Sequence, residues 1–138
     1  MFDVKEMADR YVSIWNEPSP EARGKLVRDL WSEDAMHIVE TPDEMRDRAH
    51  ELGFPAPRLV VHGHEELERR TARAYASFGE TGEYVFRNKD NASRLDNVMK
   101  VNWEMVSKAD GTVAAEGLNV FVLDDDDRIE SDYLFIER

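Results

Sequence analysis

Alternating apolar and polar residues mark three consecutive segments in the carboxy-terminal third of the chain, Val98 to Arg138. Val98 to Ser107 and Val113 to Asp124 are separated by an Ala109-Asp110-Gly111 turn, and Arg128 to Ile136 follows. A period of two is typical of strands with one buried face, and short turns join antiparallel neighbours. The pattern therefore predicts a three-stranded antiparallel meander.

Polar residues interrupt the apolar positions of this meander at a few places. On the first strand one face is apolar, formed by Met99, Val101, Trp103 and Met105. The second strand is apolar on both faces, which predicts a central or covered position, and Asn119 is its one strongly polar side chain between Gly117 and Leu123. Asp132, on the third strand, could lie on either face. A polar group buried without a partner costs about 1–3 kcal/mol, so such residues indicate a polar site in an apolar interior.

Helical periodicity dominates the first half of the chain. Phe2 to Asn16 carries one apolar stripe, and Ser19 with Pro20 has the pattern of a cap and first position of a second helix. A third helix follows His62-Gly63, with Arg70 largely on its polar side, and ends at Gly79 and Gly82. Together with the meander, this predicts an α+β protein with about three helices on one face of a curved sheet, forming a cone with a cavity.

Other segments complete a single predicted domain, residues 1–138. Ala35 to Glu40 reads as a short strand, and Thr41 to Pro57 as irregular or partly helical. Tyr84 to Asn88 is predicted to begin the sheet.

Charge and composition exclude several classes of function. The net charge of −12 disfavours binding to nucleic acid or to anionic membranes, because both would repel the chain. No apolar run approaches 18 residues, and Met1 to Arg10 lacks the features of an export signal. The absence of cysteine fits a reducing compartment. These features predict a cytoplasmic protein.

Metal and cofactor motifs are weak in this chain. His37, His62 and His64 are not accompanied by the carboxylate spacing of an established metal site. The run Asp124 to Asp127 lacks the glycine and closing glutamate of a calcium loop and is typical of a solvated turn. No phosphate loop, nucleophile elbow or dinucleotide fingerprint is found. The sequence thus predicts neither a metal nor a cofactor.

Several short motifs, taken in order, resemble one known family. They are Tyr11 to Asn16, Leu30 to Ala35, His62-Gly63, and Phe121 to Asp124 followed by Arg128-Ile129. Over nearly the whole chain they look like the SnoaL-like branch of the nuclear-transport-factor-2-like superfamily. That superfamily includes isomerases, cyclases, dehydratases and non-catalytic binding domains, so the resemblance implies the fold more than the chemistry.

The resemblance also implies roles for particular residues. In the superfamily's ketosteroid isomerases an acid lies on the fourth strand, nine residues before the arginine of an Asp-x-x-Gly-Arg-Ile-like turn. Asn119 has that position relative to Arg128. Tyr11 matches the tyrosine that shares the oxyanion hole, and Trp103 and Asp132 are placed toward the cavity. Where those isomerases have the general base this chain has Thr41, with Glu40 one residue away. A one-residue slip reverses the face of a strand unless a bulge intervenes.

Two functions remain open at this level. In the first, a small, largely apolar organic molecule is bound, and Asp132, Tyr11 and Asn119 are catalytic, with Asp132 moving a proton beside a carbonyl and the other two holding the oxyanion. Further ligand contacts are predicted from Trp103, Val101, Met105, Trp15, Glu40 and His37. In the second, a non-catalytic ligand-binding or homodimerisation domain, the polar groups satisfy one another. The resemblance implies a homodimer in either case.

Overall fold

Four α-helices are found in the computed structural model, which describes residues 3–137. They are α1 (Val4–Asn16), α2 (Pro20–Leu30), α3 (Asp43–Glu51) and α4 (Gly63–Ala74), the last continuing into a π-helical turn (Tyr75–Gly79). The Ser19 hydroxyl accepts a hydrogen bond from the Ala22 N–H at 3.2 Å, which confirms the predicted cap of α2. Phe2, predicted at the start of the first helix, lies outside the described residues.

Seven strands form one curved sheet. They are β1 (Trp31–Val39), β2 (Leu59–His62), β3 (Tyr84–Asn88), β4 (Ser93–Leu95), β5 (Val98–Ser107), β6 (Val113–Leu123) and β7 (Ile129–Glu137). The order is β2-β1-β7-β6-β5-β3, with β4 also paired with β5. All pairs are antiparallel except β1 with β7, which is parallel. The predicted meander of β5, β6 and β7, with β6 inside the sheet, is confirmed, and so is the α+β class.

The sequence-based prediction was incomplete between the second and third predicted helices. The first strand is longer than predicted, because it starts at Trp31 directly after α2 rather than at Ala35. β2 was missed, and it is a four-residue edge strand whose one neighbour in the sheet is β1. The segment predicted as irregular or partly helical contains α3, none of whose residues is buried. A short element without a buried face leaves little hydrophobic periodicity in the sequence.

The hydrophobic core lies between the helices and one face of the sheet. Its fully buried members include Ile14 and Val27 from the helices and Met99, Phe121 and Ile129 from the strands. Within residues 3–137, no helix is long and apolar enough to cross a membrane.

A bulge in β7 decides which face Asp132 occupies. Val122 pairs with Ser131 while Leu123 pairs with Ile129, so Glu130 is an extra residue on the β7 side. An extra residue reverses the alternation of side chains beyond it. As a result Ile129 and Asp132 are both fully buried, although simple alternation would place them on opposite faces.

Candidate functional site

A cavity of about 370 Å³ lies between the helices and the inner face of the sheet. Much of its wall is aromatic, with Trp15 from α1, Phe86 from β3 and Trp103 from β5. The polar or charged side chains among the described lining residues are Tyr11, Glu40, Arg70 and Asn119. A concave, mainly apolar hollow of this size with a few polar groups is typical of small-molecule sites.

The edge strand β3 is held in place by the last residue of α1. Asn16 Nδ2 donates to the Phe86 carbonyl at 2.7 Å, and the Phe86 N–H donates to Asn16 Oδ1 at 2.9 Å. The side-chain amide thus takes the place of a neighbouring strand at this edge. The Phe86 ring is thereby fixed against Trp103, with 5.5 Å between the ring centroids.

Tyr11, Asn119 and Asp132 form a buried hydrogen-bonded cluster. The Tyr11 hydroxyl donates to Asp132 Oδ2 at 2.9 Å. Asn119 Nδ2 donates to Asp132 Oδ1 at 2.6 Å and to the Tyr11 oxygen at 2.8 Å. A phenol has one proton and a side-chain amide has two, so every donor of this cluster is used within it.

Trp103 fixes the orientation of Asn119. Its indole Nε1 donates to Asn119 Oδ1 at 2.7 Å, and because an indole N–H can only donate, the amide must present its oxygen there and its nitrogen to Asp132. The indole lies on the backbone of Gly117, where an added Cβ would be 2.1 Å from Trp103 Cζ2. Gly117 is therefore required for space.

His37 and Asp132 face each other across the parallel pair of β1 and β7. His37 Nδ1 lies 2.9 Å from Asp132 Oδ2, within ion-pair distance but off the line of a hydrogen bond, and both side chains are fully buried. Within residues 3–137, His37 Nε2 has no hydrogen-bond partner. The imidazole therefore lies against the Asp132 carboxylate in the buried layer without a hydrogen bond to it.

The environment of Tyr11 keeps its hydroxyl protonated. Burial raises the pKa of the phenol well above its usual value, and the Asp132 carboxylate raises it further by its charge and its hydrogen bond. Arg70 and Trp15 act in the opposite direction. At neutral pH the phenol consequently acts as a donor to Asp132.

The residues predicted from sequence divide into two layers. Tyr11, Asn119, Trp103, Met105, Trp15 and Glu40 line the cavity. Asp132, His37 and Val101 do not line it; each is fully buried behind that wall. The three residues predicted to be catalytic therefore lie together, but Asp132 reaches the cavity only through Tyr11 and Asn119.

Arg70 was missed by the sequence analysis, which placed it on the polar side of its helix. It lines the cavity together with Ala74 and Phe78. The signal was present in the spacing, since residues 70, 74 and 78 follow one another at intervals of four along α4 and the turn that continues it. An arginine at the edge of an apolar stripe is easily assigned to solvent because such side chains are normally exposed.

The other histidines lie away from the cluster. His64 Nε2 is 2.8 Å from the Trp31 carbonyl oxygen, and His62 is exposed at the start of α4. In the part of the chain that the structure describes, no three histidine, aspartate or glutamate side chains converge to hold a metal ion.

Several solved structures have a fold similar to that of this chain over nearly its whole length. One similar structure is a proposed isomerase of the SnoaL-like family from Agrobacterium tumefaciens, with a TM-score of 0.74, 22% identity and 96% of each chain covered. An NTF2-like protein of unknown function from Exiguobacterium has a TM-score of 0.63 and 15% identity, over 95% of this chain and 98% of its own. The chain has the fold of the SnoaL-like and NTF2-like proteins.

A third solved structure with this fold is a proposed polyketide cyclase from Sinorhizobium meliloti, with a TM-score of 0.58, 13% identity and 94% of each chain covered. No protein-family model matches the sequence, and no curated protein matches it significantly. At these identities the likeness concerns the SnoaL-like fold, and an activity has to be argued from the site.

Proposed function

We propose that this SnoaL-like chain binds a small, largely apolar organic molecule in the cavity between its helices and its sheet. The observation that carries the proposal is the hollow of about 370 Å³ with its mainly aromatic and aliphatic wall. Transfer of an apolar molecule from water into such a hollow is favourable, at about 25 cal/mol per Å² of apolar surface removed from water.

The hydrogen bonding of the buried cluster supports binding as the primary role. An oxyanion hole needs donors aimed at the ligand, whereas Tyr11 and Asn119 direct theirs to Asp132. Turning one of these donors to a ligand would leave Asp132 with an unmet acceptor in a buried place, at a cost of about 1–3 kcal/mol. The cluster serves to hold Tyr11, Asn119 and Trp103 rigidly at the cavity wall.

A pair of substitutions on adjacent residues of β6 tests the proposal. Ala115 lines the cavity, while Ala114 is exposed. We expect Ala115→Phe to fill the hollow and abolish the thermal shift produced by apolar carbonyl compounds and polyketide-like rings, and Ala114→Phe to retain it. A ligand at 100 times its Kd should stabilise the wild type by about 2.7 kcal/mol. Equal shifts in the two variants would contradict a site in this cavity.

Proton transfer beside a carbonyl is a second candidate, favoured by the presence of Glu40 on the cavity wall. Glu40 Oε2 accepts a hydrogen bond from the Ile136 N–H at 2.6 Å, which orients the carboxylate. As a base it would take a proton from the carbon next to the carbonyl and return it to another carbon of the enolate. In this scheme Asp132 positions Tyr11 and Asn119 and does not touch the substrate.

Replacement of Glu40 by Gln separates the two candidates. If the chain is an isomerase, we expect Glu40→Gln to lower kcat by about 10²–10⁴-fold with little change in ligand affinity, because the amide keeps the shape and loses the basic group. Turnover is measured by proton exchange or product formation with a compound that the thermal screen identifies. Unchanged turnover in the variant would exclude Glu40 as the base.

A homodimer is proposed from the outer face of the sheet, which no helix among the described residues covers. Tyr133 and Phe135 are 38% and 46% exposed there, and they pair across the strands with Val120 and Leu118. These four side chains carry no charge, so two copies of a chain of net charge −12 can meet there, using the same surface on each. Light scattering should give a dimer at micromolar concentration, and a monomer for Phe135→Lys. A wild-type monomer would contradict the proposal.

A cytoplasmic location also stays a prediction.

A further inference from the structure

Arg70 is the one cationic side chain among the described residues that line the cavity. Its guanidinium lies over the Trp15 ring, 5.7 Å from the centroid. Within residues 3–137 its buried Nε has no hydrogen-bond partner, and the side chain makes no ion pair. A cation with a buried, unpaired N–H thus borders a mainly apolar hollow, in which Glu40 is the other charged lining side chain among the described residues.

Two arginines on or beside α4 do have carboxylate partners, unlike Arg70. Arg69, the adjacent residue, contacts Glu65 at 3.1 Å, and Arg28 contacts Glu68 at 3.2 Å. With 30 acidic residues in the sequence, carboxylates are abundant, yet none pairs with Arg70 among the described residues. A partly buried charge is costly to leave unpaired, which indicates that its partner comes from outside the chain.

The chemistry of that partner follows from the guanidinium and from its surroundings. A guanidinium presents a planar fork of N–H donors that matches a carboxylate in two parallel hydrogen bonds. Burial lowers the pKa of Arg70 from its usual value while Tyr11 and Asp132 oppose this, and the group stays charged at neutral pH. The Glu40 carboxylate on the cavity wall, the buried Asp132 carboxylate behind it and the apolar lining all disfavour a ligand with more than one negative charge.

We propose that the ligand is a small organic monocarboxylate, with its carboxylate on Arg70 and its apolar body against Trp103 and Phe86. The inference rests on the proposed binding function and adds the class of ligand. The Trp15 ring, whose centroid is 5.7 Å from the guanidinium carbon, holds the guanidinium at the cavity wall through a cation–π contact.

Matched acids and amides provide the test. Octanoate and 4-phenylbutyrate are compared with octanamide and 4-phenylbutyramide by calorimetry on the wild type at neutral pH. We expect each acid to bind about tenfold or more tightly than its amide, because one charge-assisted pair is lost in the amide. Equal affinity of acid and amide for the wild type would overturn the proposal without any variant.

Arg70→Met, which keeps an unbranched apolar stem and removes the guanidinium, should remove this preference, so that acids weaken about tenfold or more and amides change little. Arg69→Met is the matched control and should bind both like the wild type. Arg70→Lys keeps the charge but not the fork and should bind acids with intermediate affinity. Acid affinity unchanged in Arg70→Met would overturn the proposal.

The outcomes separate this inference from the function on which it rests. In one outcome the amides bind the wild type and Ala114→Phe but not Ala115→Phe, and the acids bind no more tightly than the amides. The cavity would then remain a binding site, and the proposal of a carboxylate ligand would be overturned. If neither the acids nor the amides bind the wild type, both the proposal of a carboxylate ligand and the proposed binding of small apolar molecules in the cavity would be overturned. We expect Arg70→Met to unfold at no lower temperature than the wild type, because an unpaired charge is removed. A lower unfolding temperature with unchanged acid affinity would assign Arg70 a structural role.

Discussion

Asp132→Ala is expected to lower the free energy of unfolding by about 3–5 kcal/mol, which corresponds to a fall of roughly 10–20 °C in Tm for a chain of this size. The carboxylate accepts hydrogen bonds from Tyr11 and Asn119 and lies against His37, and all four side chains are buried. Its removal leaves the donors without an acceptor in a place that water does not reach. Chemical denaturation, monitored by tryptophan fluorescence, measures the loss.

Two further substitutions on β7 make the result specific to the cluster. Glu130→Ala removes an exposed carboxylate two residues away and should change stability by no more than about 0.5 kcal/mol. Asp132→Asn keeps the shape and one acceptor, so its loss should fall between the other two. A cost below about 1 kcal/mol for Asp132→Ala would show that the cluster is relaxed or hydrated, contrary to the buried network described above.

Local patterns in the sequence were sufficient for those parts of the fold that local physics controls. Alternation located β5, β6 and β7 to within one residue at each end, and the Ser19 cap marked the start of α2. Both signals depend on residues close together in the chain, where side-chain parity and backbone capping act.

Pairings between distant segments left no comparable signal. The parallel pair of β1 with β7 joins residues about a hundred positions apart, and β2 is a short edge strand beside β1. A strand's own composition does not state which strand it will neighbour. For the same reason the alternation could not determine the face of Asp132, which depends on the bulge at Glu130.

The sequence also could not show how far each inward-facing residue lies from the cavity. Parity assigns a face, but whether a residue on the inner face touches the cavity depends on what packs in front of it. Tyr11 and Asn119 stand between Asp132 and the hollow, and Arg70 reaches the hollow from a helix face that appears polar in the sequence. The polar site was therefore located as a group of residues, while the division into wall and support required the structure.

Gly117→Ala is expected to displace Trp103, with a cost of about 1–3 kcal/mol in stability and a loss of ligand affinity of about tenfold or more. The added Cβ would lie 2.1 Å from Cζ2 and 2.8 Å from Nε1 of the indole. To avoid this contact the ring must move away from β6, toward the cavity, and the hydrogen bond from Nε1 to Asn119 is then strained or broken. Denaturation gives the change in stability and calorimetry the change in affinity.

A double-mutant cycle tests whether the indole is the cause. In a Trp103→Leu background the ring that meets the new methyl group is absent, so Gly117→Ala should cost much less there, and the coupling between the two positions should be about 1–2 kcal/mol. Additive effects would mean that the backbone of β6, and not the indole, resists the methyl group. Because Trp103 both lines the hollow and orients Asn119, a strong coupling would tie the shape of the cavity to the buried cluster behind it.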